Sequence, residues 1–147
     1  ITLVEDVEVS PSHVVDWFAD MGTKYNILKI AIDNFRYSIL NRTFKEIGFD
    51  AFEYKNIKLI RPSDIMKIAP VINSVFINRN FVWGDVPIMR WYTNNTKKIE
   101  SNGNITYGKI EPHYRKTDGF MALVNAMILA NELPENTEVM FLEPIII

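Results

Sequence analysis

Hydrophobic and polar residues follow two patterns along the chain, one typical of strands and one of amphipathic helices. The first segment, 1–9, alternates and is rich in β-branched side chains, which predicts a strand. The Ser-Pro pair at 10–11 predicts a helix start with the serine as cap, and Gly22 is the expected end of that helix. A short apolar run at 27–32 is typical of a buried strand, and it stops abruptly at Asp33.

The middle of the chain continues this alternation of strands and helices. A second amphipathic helix follows Asp33, and Gly48 is its expected C-terminal cap. Residues 49–60 are strand-like, and the Ser-Asp pair at 63–64 predicts the cap of a third helix. Pro70 lies inside that helix and is expected to kink or split it. Strand, acidic residue, helix and glycine in this order predict an α/β fold.

The last third of the chain contains the clearest turn signal. Residues 78–83 are typical of a short extended piece, and 87–95 predict a short helix. Asn-Gly at 102–103 predicts a hairpin, because both residues tolerate the positive φ that a tight turn needs. The last strong helix is predicted at about 120–133, and the apolar tail at 134–147 follows it.

Composition limits the class of protein. The chain has 147 residues, about one domain's worth, with an ordinary globular balance of 48% hydrophobic and 23% charged residues. We therefore predict one domain at 1–133 with 134–147 as its tail. The absence of cysteine excludes thiolate metal sites and cysteine nucleophiles, and no apolar run approaches the roughly 20 residues that span a bilayer. A net charge of −2 argues mildly against a dedicated nucleic-acid binder, but an enzyme that another domain holds on DNA does not need a basic excess, so the charge leaves DNA binding open.

Two aspartates stand where α/β proteins place their chemistry. Asp33 ends a buried strand, and Asp118 begins an apolar helix behind the basic pair at 115–116. Two carboxylates brought together can hold Mg²⁺ or Mn²⁺, and two such ions about 4 Å apart can promote phosphodiester cleavage. The local sequence by itself favours a simpler role, because aspartate is also a preferred helix cap.

Three segments, in the same order and spacing, resemble the nuclease half of phage terminase large subunits. The first is Ile-Ala-Ile-Asp at 30–33, followed by a helix that ends at 46–49. The second, 87–95, resembles the family's proline, Arg-Trp and Asn signature before a hairpin. The third, 116–123, is similar to the family's Lys-x-Asp-Gly helix start. The resemblance covers about 7–133.

The resemblance implies a ribonuclease H-like α/β fold, a mixed sheet flanked by helices, from which this chain lacks the first strands. It also implies metal-dependent cleavage of double-stranded DNA, with Asp33 and Asp118 as catalytic ligands of two Mg²⁺ or Mn²⁺ ions. The family takes a further acid from an early strand, and Glu5, Asp6 and Glu8 do not match it. We therefore expect that acid upstream of residue 1, and we expect poor metal binding and cleavage without it.

The resemblance further implies partners and a location. Besides double-stranded DNA, these are an N-terminal ATPase domain of the same polypeptide, the portal and the small terminase subunit, in the cytoplasm of the bacterial host. The sequence contains no Walker-type phosphate loop, so these residues are not expected to hydrolyse ATP. Five basic residues near the hairpin and the Asp118 helix are candidate DNA contacts, although a solvated charged face explains them equally well. They are Lys97, Lys98, Lys109, Arg115 and Lys116.

Other interpretations of the sequence remain open. A missing central strand would leave a strand edge exposed, which predicts either a rearranged sheet or a homodimer that fills the gap. A non-catalytic interaction module that docks on the portal, the capsid or another subunit is a second possible function, and the apolar segment 141–147 favours it. A different ribonuclease H-like enzyme, such as a resolvase or transposase, is a third.

Overall fold

The computed structural model describes residues 10–82 and 84–133. The helices are α1 (Pro11–Lys24), α2 (Asn34–Glu46), α3 (Pro62–Ile77), α4 (Pro87–Asn94) and α5 (Asp118–Ala130). The strands are β1 (Ile30–Asp33), β2 (Ile57–Ile60), β3 (Thr96–Ser101) and β4 (Asn104–Lys109). The predicted strand at 1–9 and the predicted tail at 134–147 lie outside the described residues. Among the helices of the described ranges, none combines the length and apolar character needed to cross a membrane.

β1 and β2 form a parallel pair between two layers of helices. Asp33 at the end of β1 lies opposite Ile60 at the end of β2. Successive side chains of a strand point to opposite faces, and Ile30 and Ile57 accordingly pack with residues of α1 and α2. Ala31 and Ile60 instead pack with residues of α3 and α5. Both faces of the pair are covered, which is the usual requirement of parallel strands.

β3 and β4 form a separate antiparallel hairpin, as the sequence predicts. Its turn residues, Asn102 and Gly103, have φ of 50° and 76°, the conformation of a two-residue hairpin turn. The ring of Tyr107 meets Phe120 edge-on at a centroid distance of 5.0 Å, which joins the hairpin to α5. The described residues thus form a mixed α/β structure with two small separate sheets, whereas the family resemblance implies one mixed sheet.

The signals at the ends of the first two helices have different outcomes. The hydroxyl of Ser10 accepts the N–H of Ser12 at 3.3 Å, which confirms the predicted cap of α1. Gly22 does not end α1, which continues to Lys24. That prediction is wrong because a glycine inside a helix costs only about 1 kcal/mol, too little to stop it. Gly48 does terminate α2, with a φ of 83°.

The second strand is shorter than predicted, and the segment before it is a loop. Of residues 49–60, only 57–60 form a strand. Before them, the backbone N–H groups of Phe52 and Glu53 donate to the side chain of Asp50 instead of to a neighbouring strand. The N-cap of α3 is Arg61 rather than the predicted 63–64 pair. Pro62 takes the first helical position, where a missing N–H costs nothing.

Pro70 does not split α3, which runs without interruption. The prediction of a split is wrong here because buried side chains hold the helix on both sides of the proline: Ile68 and Ile72 are each 3% exposed and belong to the same core cluster. The segment after α3 was predicted to be extended, yet 78–82 contain turns and no strand. Arg79 has a φ of 55°, a left-handed conformation that does not occur in an extended strand.

Candidate active site

Asp33 occupies the exposed end of β1 and also caps the following helix. Its Oδ1 atom accepts the backbone N–H of Arg36 at 2.7 Å, which makes it the N-cap of α2. Strand alternation places Asp33 on the same side of β1 as Ala31, the side covered by α3 and α5. The capping role expected from the local sequence is therefore present, on the face that α5 packs against.

Asp118 is the first residue of α5 and is exposed, whereas Thr117 before it is buried. The buried face of α5, with Phe120 and Val124, belongs to the same core cluster as Ala31 of β1. The two candidate ligands are thus carried by elements that pack on one another. Asp118 extends from the first turn of its helix, where a carboxylate also complements the helix dipole.

The carboxylate oxygens of Asp33 and Asp118 are ligands that suit a hard cation. Carboxylate oxygens are the ligands that Mg²⁺ and Mn²⁺ prefer, and Mg²⁺ commonly uses one or two carboxylates together with water and phosphate oxygens. Within 10–82 and 84–133, no group of three or more histidine, aspartate or glutamate side chains is placed to hold a metal ion. A shared ion would therefore use Asp33, Asp118, water and substrate oxygens, or an acid outside these residues.

Asn95 connects the second segment of the family resemblance to the third. It is the C-cap of α4 and is 1% exposed. Its Nδ2 atom donates to the backbone carbonyl of Lys116 at 3.0 Å, and its Oδ1 atom accepts from Arg115 at 3.1 Å. Its own carbonyl accepts the N–H of Ile110, where the hairpin ends, at 2.8 Å. One buried amide thus holds the chain two residues before Asp118.

Gly119 and Tyr92 form a second contact between these segments. A Cβ atom at Gly119 would overlap the ring of Tyr92, so the glycine allows the ring to lie directly against the first turn of α5. This close approach is a physical reason for glycine after Asp118 that the sequence does not reveal. Asn95 and Tyr92 together fix where α5 begins.

We expect Gly119→Ala to destabilise the protein by about 1–3 kcal/mol, because the added methyl group overpacks the contact with Tyr92. The measurement is the free energy of unfolding in urea. In a Tyr92→Ala background the same substitution should be neutral or stabilising, because the ring is gone and alanine is the better helix former.

Gly22→Ala is the matched control for this substitution. Gly22 also lies in a helix, but an added Cβ atom meets nothing within 4 Å. We expect that control to stabilise the chain by up to about 1 kcal/mol. Equal effects at the two glycines would contradict the role of the Tyr92 contact.

The five basic residues predicted to contact DNA do not share one surface. Lys98 and Lys109 lie on one face of the hairpin and Lys97 lies on the other, because the strand register alternates them. The ammonium group of Lys98 is 2.6 Å from the carboxylate of Glu100. Arg115 is engaged with Asn95, and Lys116 is exposed. Their contact with DNA stays a prediction.

A buried carboxylate that the sequence did not single out anchors the loop before β2. Asp50 is 0% exposed and accepts the backbone N–H groups of Glu53 and Phe52 at 2.5 Å and 2.7 Å. The hydroxyl of Tyr37 donates to it at 2.7 Å, and the ammonium group of Lys45 lies 3.5 Å away. The N–H of Glu53, then the Tyr37 hydroxyl, hold the pKa of Asp50 well below its usual range, against the opposing effect of burial. These donors and the nearby ammonium group stabilise the negative charge of Asp50, which gives this buried carboxylate a structural role.

Comparison of the chain with family models, curated proteins and solved structures finds no match. The terminase resemblance therefore rests on the three segments and their order. The structure adds that two of these segments touch, through Asn95 with Lys116 and through Tyr92 with Gly119.

Proposed function

We propose that this chain is the nuclease part of a phage terminase large subunit, which cuts double-stranded DNA with Mg²⁺ or Mn²⁺. The observation that carries the proposal is the joint placement of Asp33 and Asp118 on packed elements, with the loop before Asp118 held by Asn95. A ribonuclease H-like arrangement of the whole domain belongs to this proposal. Its support is a parallel strand pair, covered by helices on both faces, that ends in an exposed aspartate.

Capping and metal binding are compatible at Asp33. The hydrogen bond from Arg36 uses Oδ1, which leaves Oδ2 for a cation and holds the carboxylate in one orientation. Asp118 offers its carboxylate from a helix start whose position Asn95 and Tyr92 define. The metal ions would activate water and stabilise the leaving oxygen of the phosphodiester. The role of the protein is to orient the two carboxylates and to bind the DNA.

Plasmid cleavage tests the proposal. The full-length natural polypeptide that contains these residues should nick or linearise supercoiled plasmid in Mn²⁺ and show no cleavage in EDTA. Gel electrophoresis of the plasmid forms measures both.

Two outcomes would contradict the proposal. Cleavage that persists in EDTA would reject the metal-dependent mechanism. Strong preference for a four-way junction over plasmid or linear duplex would instead indicate a resolvase-like enzyme, the third interpretation of the sequence.

Exposed apolar side chains favour a second candidate, a docking module without catalytic activity. Phe35 and Ile39 on α2 are 70% and 50% exposed, and Trp17 on α1 is 48% exposed. Large exposed apolar groups are typical of protein contacts when they are contiguous. Failure of the folded full-length polypeptide to cleave DNA in Mn²⁺ would favour this candidate over the nuclease.

A further inference from the structure

A groove of about 390 Å³ lies beside β2, between the loop at 51–52 and the first turns of α3. We call it the β2 groove. Its cationic lining residues are Lys58, Arg61 and Lys67, and its acidic lining residue is Asp64. The described part of the groove thus has a formal excess of two positive charges, although the whole chain has a net charge of −2.

The charges of the groove are not all equally available. Lys58 is partly buried and forms ion pairs with Glu132 and with Asp64, the latter at 3.9 Å. Asp64 also accepts the backbone N–H of Arg61 at 2.9 Å. The acid in the groove therefore already has partners, and Lys58 has its charge compensated.

Arg61 and Lys67 provide the remaining positive charge. Both side chains are exposed, and neither forms an ion pair with an acidic residue in the described ranges. A guanidinium group and an ammonium group at one groove suit phosphate oxygens, which both side chains bind through charge-assisted hydrogen bonds.

The groove begins at the end of the sheet that carries Asp33. Arg61 follows Ile60 directly, and Ile60 lies opposite Asp33 in the strand pair. A DNA strand that passes Asp33 would therefore meet Arg61 next to it. Among the DNA contacts predicted near the hairpin and α5, by comparison, Lys98 and Arg115 are already engaged with other side chains.

We propose that the β2 groove binds backbone phosphates of duplex DNA through Arg61 and Lys67. The choice of DNA as the ligand rests on the proposed function, whereas the affinity for phosphate follows from the groove itself. Contacts to phosphates position a duplex without reading its sequence, so this binding should be independent of base sequence.

Fluorescence anisotropy with a labelled duplex, the 147-residue chain and EDTA tests the proposal. Replacing both cations, Arg61→Gln with Lys67→Gln, should weaken binding at least about tenfold at low salt and make the salt dependence shallower. Each lost phosphate contact removes about 0.9 from the slope of log K against log salt, so two should remove about 1.8. Arg61→Lys should retain most of the affinity, because the charge is kept.

The control is Lys24→Gln with Arg42→Gln, which removes two exposed cations of α1 and α2 that do not line the groove. An unchanged salt slope in the groove variant, or an equal loss in the control, would overturn the proposal. Equal displacement of the duplex by polyglutamate and by unlabelled duplex would overturn it as well, in favour of a general site for acidic chains. Circular dichroism establishes that each variant is folded.

Failure of this inference and failure of the proposed function give different results. If the groove variant loses DNA binding in EDTA while Asp118→Asn still cleaves plasmid, the phosphate-binding role of the groove is supported and the metal mechanism at Asp118 is rejected. If cleavage requires Asp118 but the groove variant binds duplex like the unmodified chain, the proposed nuclease function is supported and the groove assignment is rejected.

Discussion

Asp118→Asn should reduce Mn²⁺-dependent plasmid cleavage by the full-length polypeptide by at least about 100-fold. Asparagine has the shape of aspartate but lacks the negative charge that binds a divalent cation. Asp118 occupies the first helical position and Thr117 is the N-cap, so the lost charge should cost only about 0.3–1 kcal/mol of interaction with the helix dipole and leave stability nearly unchanged. Cleavage rates from plasmid gels and melting temperatures measured on the same samples check both parts of this expectation.

The same experiment distinguishes two roles of Asp118: binding a metal ion, and stabilising the first turn of α5. A variant that loses stability and activity together would indicate a structural residue, and one that retains activity would end the assignment of Asp118 as a ligand. Asp20→Asn is the control, because Asp20 is exposed on α1 and pairs with Lys24 at 2.8 Å. It should cleave like the unmodified protein.

Asp50→Asn should destabilise the chain far more than Asp118→Asn or Asp20→Asn, with a fall in Tm of roughly 10 °C at neutral pH. The side chain of Asp50 is buried and accepts from Glu53, Phe52 and Tyr37. An asparagine oxygen can keep some of these contacts, but its amide group would face donors or the ammonium group of Lys45. Unpaired buried donors are costly.

The effect of Asp50 on stability should depend on pH in one direction. Its pKa is depressed in the folded chain, so its contribution is fully present above its unfolded value, about 4. The contribution is lost as pH falls from there towards the folded pKa. The unmodified chain should therefore lose stability steeply below about pH 4, and Asp50→Asn should have a flatter profile there.

Urea unfolding between about pH 7 and pH 2 measures this difference. Asp20→Asn serves again as the control, because its carboxylate is exposed and its ion pair with Lys24 is solvated. Parallel stability profiles for Asp50→Asn and the unmodified chain would contradict the linkage. Retention of plasmid cleavage by folded Asp50→Asn at neutral pH is also expected, since Asp50 anchors a loop in this structure and is not a proposed ligand.

Local signals predicted much of the backbone. The serine cap of α1, the glycine end of α2 and the Asn-Gly turn each depend on groups within a few residues, and all three are confirmed. The predictions at Gly22 and Pro70 are wrong for different reasons: a glycine costs a helix only about 1 kcal/mol, whereas buried Ile68 and Ile72 hold α3 on both sides of the proline. The strand at 49–60 was overestimated because the side chain of Asp50 satisfies backbone groups that a strand would otherwise have paired.

The sequence by itself determined that Asp33 and Asp118 stand at the ends of structural elements, because strand and helix boundaries follow from neighbouring residues. Only the tertiary structure decided which distant segments meet. The contact of Asn95 with Lys116 spans 21 positions, and the fit of Gly119 against Tyr92 spans a whole hairpin. The β2 groove likewise exists because a loop and a helix start close around one strand. Such contacts depend on how helices and strands pack, and packing is set by the shapes of many side chains together, which no local pattern encodes.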